Sequence, residues 1–223
     1  MQTFATAAPI TAIVSVPAGN LRFIAADRAD ATVDVRPATP GKGRDVKAAE
    51  ETTVSFADGV LRITAPEAKN QLFGPSGSVQ ITVQLPAGSH VEAKAAGAAL
   101  RGVGRLGDVT FDSAQGPVKL DEAAAARLTL ADGDITIGRL NGSAELTTAR
   151  GDLKITEAVT GTLVLTTQAG NVSIGAAHGV AATLDAGTSY GRIHNTLQNT
   201  AGKSAPLTIR ATTSYGDITA HSN

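Results

Sequence analysis

From Gly97 to the C-terminus, apolar residues fall in short alternating runs, each closed by a glycine. Ile135/Ile137, Leu153/Ile155 and Val172/Ile174 place one apolar residue at every second position, the spacing that turns one face of a strand inward. The glycines set the period. Aligned on them, the chain reads Gly107-Asp108-Val109, Gly133-Asp134-Ile135, Gly151-Asp152-Leu153, Gly170-Asn171-Val172, Gly191-Arg192-Ile193 and Gly216-Asp217-Ile218. In the most regular stretch the steps between Gly133, Gly142, Gly151, Gly161, Gly170 and Gly179 are 9, 9, 10, 9 and 9 residues. A leucine stands five positions ahead of three corners (Leu128, Leu146 and Leu165). Two such arcs make one coil of 18 or 19 residues.

A single arc cannot bury its apolar face alone, but coils stacked at ~4.8 Å bury one another. Glycine supplies the positive φ of each corner, and the Asp or Asn after it can bond backbone at the turn. The fold predicted is all-β: a β-helix-like, right-handed parallel β-solenoid over residues 91–223, continuous with an N-terminal strand-rich section over residues 1–90. Ile135, Ile137, Leu146, Leu153, Ile155, Leu163, Leu165, Val172 and Ile174 are expected to point inward. Asp121–Arg127 has helical propensity, but Ala124 takes the place of Gly142 and Gly161 in the repeat, which predicts a turn and strand there.

The N-terminal section shows period-2 alternation at Ile10–Val16, Asn20–Ala25 and Ala31–Arg36, and then a Pro/Gly loop at Pro37–Gly43. Asp45 is placed to cap one helical turn over Val46–Glu50. Asp58-Gly59 predicts a hairpin between Thr52–Phe56 and Val60–Ala65. A second loop, Pro66–Ser78, contains Phe73-Gly74-Pro75, and a strand follows at Val79–Leu85. Pro17-Ala18-Gly19 is echoed by Pro86-Ala87-Gly88, which hints at a repeated strand-turn-strand unit.

Composition narrows the function classes. The 223 residues carry a net charge of −1, and the balance holds in both parts: 9 Lys/Arg against 9 Asp/Glu over residues 1–96, then 10 against 11. No cluster of cations is there to displace the counterions of a duplex, so nucleic acid is not expected as a partner. With no cysteine there is neither a disulfide nor a thiolate metal site. Aromatic residues make up only 3%, so the core must be aliphatic. No stretch approaches the ~18 consecutive apolar residues of a membrane span, and the first residues lack a secretory pattern. If Met1 is the natural start, a cytoplasmic protein is expected.

Candidate chemistry is sparse. Asp108, Asp134, Asp152, Asn171 and Asp217 could stack as a ladder of oxygen ligands, but the calcium nonapeptide G-G-x-G-x-D is missing and Arg192 interrupts the row. No metal and no cofactor are expected, and any calcium or zinc should bind no tighter than millimolar. Asp132 and Asp134 flank Gly133, with Asp112, Asp121 and Glu122 as neighbours for a carboxylate pair, yet no cleft or base accompanies them. His90, His178, His194 and His221 make no ligand spacing. Ser189 and Ser214 lie outside any G-x-S-x-G elbow. Gly102-Val103-Gly104-Arg105-Leu106-Gly107 spells GxGxxG, but Thr110-Phe111 continues a strand where a dinucleotide site needs a helix. Tyr190 and Tyr215, the only tyrosines, each sit in Ser-Tyr-Gly 25 residues apart. They are expected to stack on successive coils and shield the C-terminal end, or to offer an aromatic platform to a sugar ring or peptide. The repeat is least regular here, with a 25-residue step from Gly191 to Gly216 and a polar loop at Gln198–Ala205. The candidate binding residues are Tyr190, Arg192, His194 and Tyr215.

The G-[DN]-[ILV] coils, the endings Thr188-Ser189-Tyr190-Gly191-Arg192-Ile193 and Thr213-Ser214-Tyr215-Gly216-Asp217-Ile218, and the opening Val33-Asp34-Val35-Arg36-Pro37 together resemble the bacterial DUF4097 family. The Asp58-Gly59 hairpin and Leu85-Pro86-Ala87-Gly88-Ser89 extend the resemblance over nearly the whole chain. The family is described as "putative adhesins" or β-strand repeat proteins. The resemblance implies an all-β stack of strands and no catalytic residues. The expected function is thus a non-enzymatic scaffold or binding surface, with a protein or carbohydrate as partner. The alternatives are a polysaccharide-active β-helix enzyme and a structural protein self-associating through its solenoid ends.

Overall fold

The computed structural model describes residues 1–66 and 77–223, so the expected loop with Phe73-Gly74-Pro75 lies outside the described residues. The chain forms two compact units, Met1–Gly116 and Pro117–Asn223.

The second unit contains β8 (Val118–Asp132), β9 (Ile135–Leu140), β10 (Ala144–Arg150), β11 (Leu153–Ala158), β12 (Gly161–Ala169), β13 (Val172–Ala176), β14 (Ala182–Tyr190), β15 (Ile193–Thr196), β16 (Leu207–Tyr215) and β17 (Ile218–Ser222). They make two parallel ladders. One runs from the second half of β8 through β10, β12 and β16 to β14. The other runs from the first half of β8 through β9, β11, β13 and β17 to β15. Residues of like character stand in register, as in the column Ile135, Leu153, Val172, Ile218, Ile193. The nine residues expected inside are each no more than 1% exposed, and Asp121–Arg127 is strand. Sequence alternation has thus become burial alternation.

The order of the coils departs from the order of the chain. β16 and β17 lie between β12/β13 and β14/β15, so the last coil in sequence is the next to last in space. This accounts for the 25-residue step: after β15 the chain must pass back over its own coil before returning. Residues 197–206, with a 3-10 turn at Gly202–Ser204, cover that distance. The Pro206 carbonyl then accepts from Gly161 N and from the Thr160 hydroxyl. Placed inside, β16 and β17 have both backbone edges paired, which a fraying terminal coil would not.

The first unit contains β1 (Gln2–Ala5), β2 (Thr11–Ala26), β3 (Asp30–Pro37), α1 (Gly43–Glu50), β4 (Thr53–Ala57), β5 (Val60–Thr64), β6 (Val79–Pro86) and β7 (His90–Gln115). Here too the early coil is interior: β2 pairs in parallel with β5 and β6 on one side and β7 on the other. The two strands expected at Ile10–Val16 and Asn20–Ala25 are therefore one strand. Pro17-Ala18-Gly19 is a corner within a coil rather than a hairpin turn, so its two arms pair with different strands. Its echo is not equivalent: Gly19 is opposite Val79 and Ala98, whereas Pro86 is opposite Ala26. The Asp58-Gly59 hairpin forms, with φ of 51° and 74°, and β4 and β3 cover β5 and β6 antiparallel. The boundary read at residue 90 falls at the start of β7, and the division between the two compact units comes just past its end.

Asp45 does something other than cap. α1 starts at Gly43 with Lys42 at the N-cap, and the buried Asp45 carboxylate accepts from Ser78 N (3.0 Å) and Thr39 N (3.1 Å). It clasps the loops on either side of the helix. The Ser78 bond, with help from Thr39 and the charge of Lys42, holds its pKa below the usual carboxylate value against the opposing effect of burial. A depressed folded pKa stabilises above the unfolded value and is lost as pH falls through the folded one. Asp45→Asn is therefore expected to lower the melting temperature at neutral pH, and the gap from wild type should close below about pH 4. A gap independent of pH in acid would remove the carboxylate from this role.

Candidate functional site

The corners of the second unit are built by a repeated backbone lock. Asp134 Oδ1 accepts from Asp152 N at 2.8 Å, Asp152 Oδ1 from Asn171 N at 2.7 Å, Asn171 Oδ1 from Asp217 N at 2.9 Å, and Asp217 Oδ1 from Arg192 N at 2.8 Å. The expected interruption by Arg192 is corrected by coil order: Asp217 precedes Arg192 in space, so the row is continuous and Arg192 is its last rung. These acids hold the fold. Asp108 sits apart in the first unit, where His90 Nδ1 accepts from Asp108 N at 3.0 Å, eighteen residues on. His90 thus does there what the turn acids do elsewhere, a role that ligand-spacing arguments could not find.

A second lock lies three residues before the corner glycines. Thr167 donates to the Gly151 carbonyl at 3.1 Å, Thr213 to Gly170 at 3.0 Å and Thr188 to Gly216 at 3.0 Å. Each of these threonines stands two residues after an apolar position of the repeat (Leu165, Ala211 and Ala186), but alternation alone gives a hydroxyl no reason to be there.

The remaining candidates are dispersed. Asp132 pairs with Arg150 at 2.8 Å while Asp134 bonds Asp152, so the two carboxylates flanking Gly133 serve different partners. Glu122 accepts from Asn141 at 2.7 Å. Gly102–Gly107 lies inside β7. His178 meets the Asn223 carbonyl at 3.2 Å, and His221 lies in β17 opposite Thr196.

Tyr190 and Tyr215 come together. They are partners in register at the ends of β14 and β16, with ring centroids 4.9 Å apart and planes 4° from parallel. Both stay in water, 68% and 60% exposed. Among the described residues β14 is the outermost strand of its ladder, so one face of Tyr190 rests on Tyr215 and the other is open. Arg192 follows across the corner, 90% exposed, its Nη2 3.7 Å from Asp217 Oδ2. His194 is exposed on β15, opposite Thr219, in the other ladder. Stacking on adjacent coils was expected, though the outer ring is Tyr190 and not the later Tyr215. Two stacked rings, an exposed guanidinium and the phenol hydroxyls can bind a flat, partly apolar surface edged with hydrogen-bonding groups.

A family model described as Toastrack DUF4097 matches residues 10–221. Comparison with the curated proteins finds no match. Among solved structures, a "putative adhesin" from Bacteroides fragilis is 12% identical, with 98% of this chain and 95% of that one covered at a TM-score of 0.55. A "putative cell adhesion protein" from Clostridium sporogenes is also 12% identical, with 100% and 98% covered at 0.39. A "putative lipid binding protein" from Parabacteroides distasonis, 12% identical, has 98% and 95% covered at 0.41. At 12% identity the likeness to the Bacteroides fragilis structure concerns the fold alone.

Proposed function

The chain belongs to the Toastrack DUF4097 family, and on that premise we propose a non-enzymatic scaffold, a right-handed parallel β-helix whose tyrosine ridge binds a protein or carbohydrate surface. The observation that carries this reading is the open face of Tyr190. A ring left 68% in water and stacked on a second ring presents an apolar face with a polar tip to any partner that docks there. Aromatic side chains supported from behind by a second ring lose little entropy on binding, which suits them as anchors. Arg192 adds a charge at the rim, where it steers and orients. The non-catalytic part of the reading rests on how the acids are used: Asp134, Asp152 and Asp217 each accept a backbone N–H of the next coil, so they are spread along the corners rather than gathered in a cleft.

Titration of the purified protein against a panel of polysaccharides and extended peptides tests this. Binding without turnover is expected, and Tyr190→Ala should weaken it by at least about 30-fold, the scale of an interface anchor. Tyr215→Ala should weaken it less, because it removes support and not the contact face. Turnover abolished by Arg192→Ala or His194→Ala would make the protein an enzyme and overturn the reading.

A further inference from the structure

The outermost coil of the second unit leaves its core unfinished. Leu184 continues the column of Leu163 and Ile209, both fully buried, yet is itself only half-buried. Ile193 continues the column of Ile135, Leu153, Val172 and Ile218, none more than 1% exposed, yet is 46% exposed. Among the described pairings, β14 has β16 as its one ladder neighbour and β15 has β17. The connecting loop touches this edge at its first residues, where Gln198 O accepts from Ala182 N. In the first unit, by contrast, the outer strands β5 and β6 are covered by β4 and β3.

An exposed edge strand is usually blunted by brevity, proline, lysine or a bulge. β14 has none of the first three: nine residues, no Pro, no Lys or Arg, and Asp185 as its single charge. The polarity of that charge distinguishes two ways of adding a strand. A parallel, in-register neighbour of the same sequence would set Asp185 against Asp185. An antiparallel neighbour related by a twofold through Ala186 sets Asp185 against Gly187, Thr183 against Ser189 and Leu184 against Thr188. That arrangement is free of like charges and self-complementary, which a closed dimer requires. Among the described residues, the first unit's strands with a single described partner, β1 and β4, are four and five residues long and match only part of a nine-residue edge. A nine-residue edge is ~30 Å long, and two packed ladders with their side chains are ~20 Å across. The contact would bury on the order of 600 Å² per copy, the lower range for a stable dimer.

We propose that the protein forms a twofold dimer in which β14 of one copy pairs antiparallel with β14 of a second, covering Leu184 and Ile193. In this pairing Tyr190 of each copy stands opposite Ala182 of the other, so the dimer and a ligand on the tyrosine ridge compete for one edge. The test is sedimentation equilibrium on the full chain and two double variants, Thr183→Lys/Ser189→Lys and Thr183→Glu/Ser189→Glu. Each variant puts like charges opposite each other at both ends of the pairing, on side chains directed away from the core. Wild type should be a dimer, and each variant a monomer with a melting temperature close to that of the wild-type subunit. An equimolar mixture of the two variants should restore a dimer containing one of each, because the lysines of one copy then face the glutamates of the other. A wild-type monomer at every soluble concentration would overturn the proposal, as would capture of an extended peptide by β14 in such a monomer. A dimer that survives both double substitutions, a mixture that stays monomeric, or open-ended polymer would also overturn it.

Discussion

Gly151→Val is expected to cost the second unit about 4 kcal/mol or more, at the severe end for one substitution. Backbone strain is the smaller part. Gly151 has φ of 139°, where a β-branched residue is disfavoured by about 1–3 kcal/mol. Crowding is the larger. A Cβ at this position would lie 2.2 Å from the Gly133 carbonyl oxygen and 2.5 Å from its carbon, and neither atom can swing away as a side-chain tip can. Gly133 N donates to Arg150 O and Gly151 N to Ala169 O, so relief would mean prising apart coils that are bonded on both sides. Gly187, where an added Cβ meets nothing within 4 Å, provides the control. Gly187→Ala should change stability by less than about 0.5 kcal/mol. Denaturant midpoints of the two variants check the contrast. An unchanged midpoint for Gly151→Val would mean that the corner register is wrong.

Removal of residues 206–223 should cost the second unit two coils rather than one, the deleted coil and the outer coil that rests on it. In a stack that followed the chain, trimming the end would leave every earlier coil paired as before. Here β16 and β17 are the ladder partners of β14 and β15, so their loss strands the outer coil. It also uncovers Leu163, Leu165, Val172 and Ile174, whose burial depends on the next coil. Hydrogen exchange followed by mass spectrometry reads this directly. Amides 182–196 should lose their protection in the shortened chain, while those of β9 to β11 keep theirs. Protection of 182–196 unchanged by the deletion would place that coil directly on β12 and β13.

The parts legible in the sequence are those set by local rules. Alternation and glycine spacing identify the strands, the inward residues and the corners, because side-chain direction has period two and a left-handed corner selects glycine. Tyr190 and Tyr215 could be placed on adjacent coils because Ser-Tyr-Gly occurs twice at the same point of the repeat. Coil order was not legible for the same reason. Segments 182–196 and 207–222 fit the repeat equally well, and period alone does not say which rests on β12. A weaker signal did exist. Leu207, Ile209, Ala211, Ile218 and Ala220 are all buried, whereas the other segment offers Ala182, Leu184, Ala186, Ile193 and Asn195 at the matching places. The more apolar coil goes inside.

In the first unit, the covering strands and the Asp45 clasp join residues distant in sequence, which periodicity does not reach. Asp45 carries a good helix-start residue type at a plausible place, and its carboxylate is instead taken by two loop amides. His90 shows the converse. A residue of a different type fills a repeat position because its ring nitrogen accepts the same backbone hydrogen bond. The candidate site divides in the same way: the repeat located the tyrosines, while the stacking order of the coils decides that Tyr190 presents the free face.

Methyl-resolved NMR of the second unit's core tests the coil order most directly. Leu165, Ala211 and Ala186 form one column, in that order. Neighbouring coils lie ~4.8 Å apart and next-neighbours ~9.6 Å, so through-space contacts distinguish the two. Cross-peaks are predicted from Leu165 to Ala211 and from Ala211 to Ala186, with none from Leu165 to Ala186. A strong Leu165–Ala186 cross-peak would contradict the inserted coil and with it the exposed face of Tyr190.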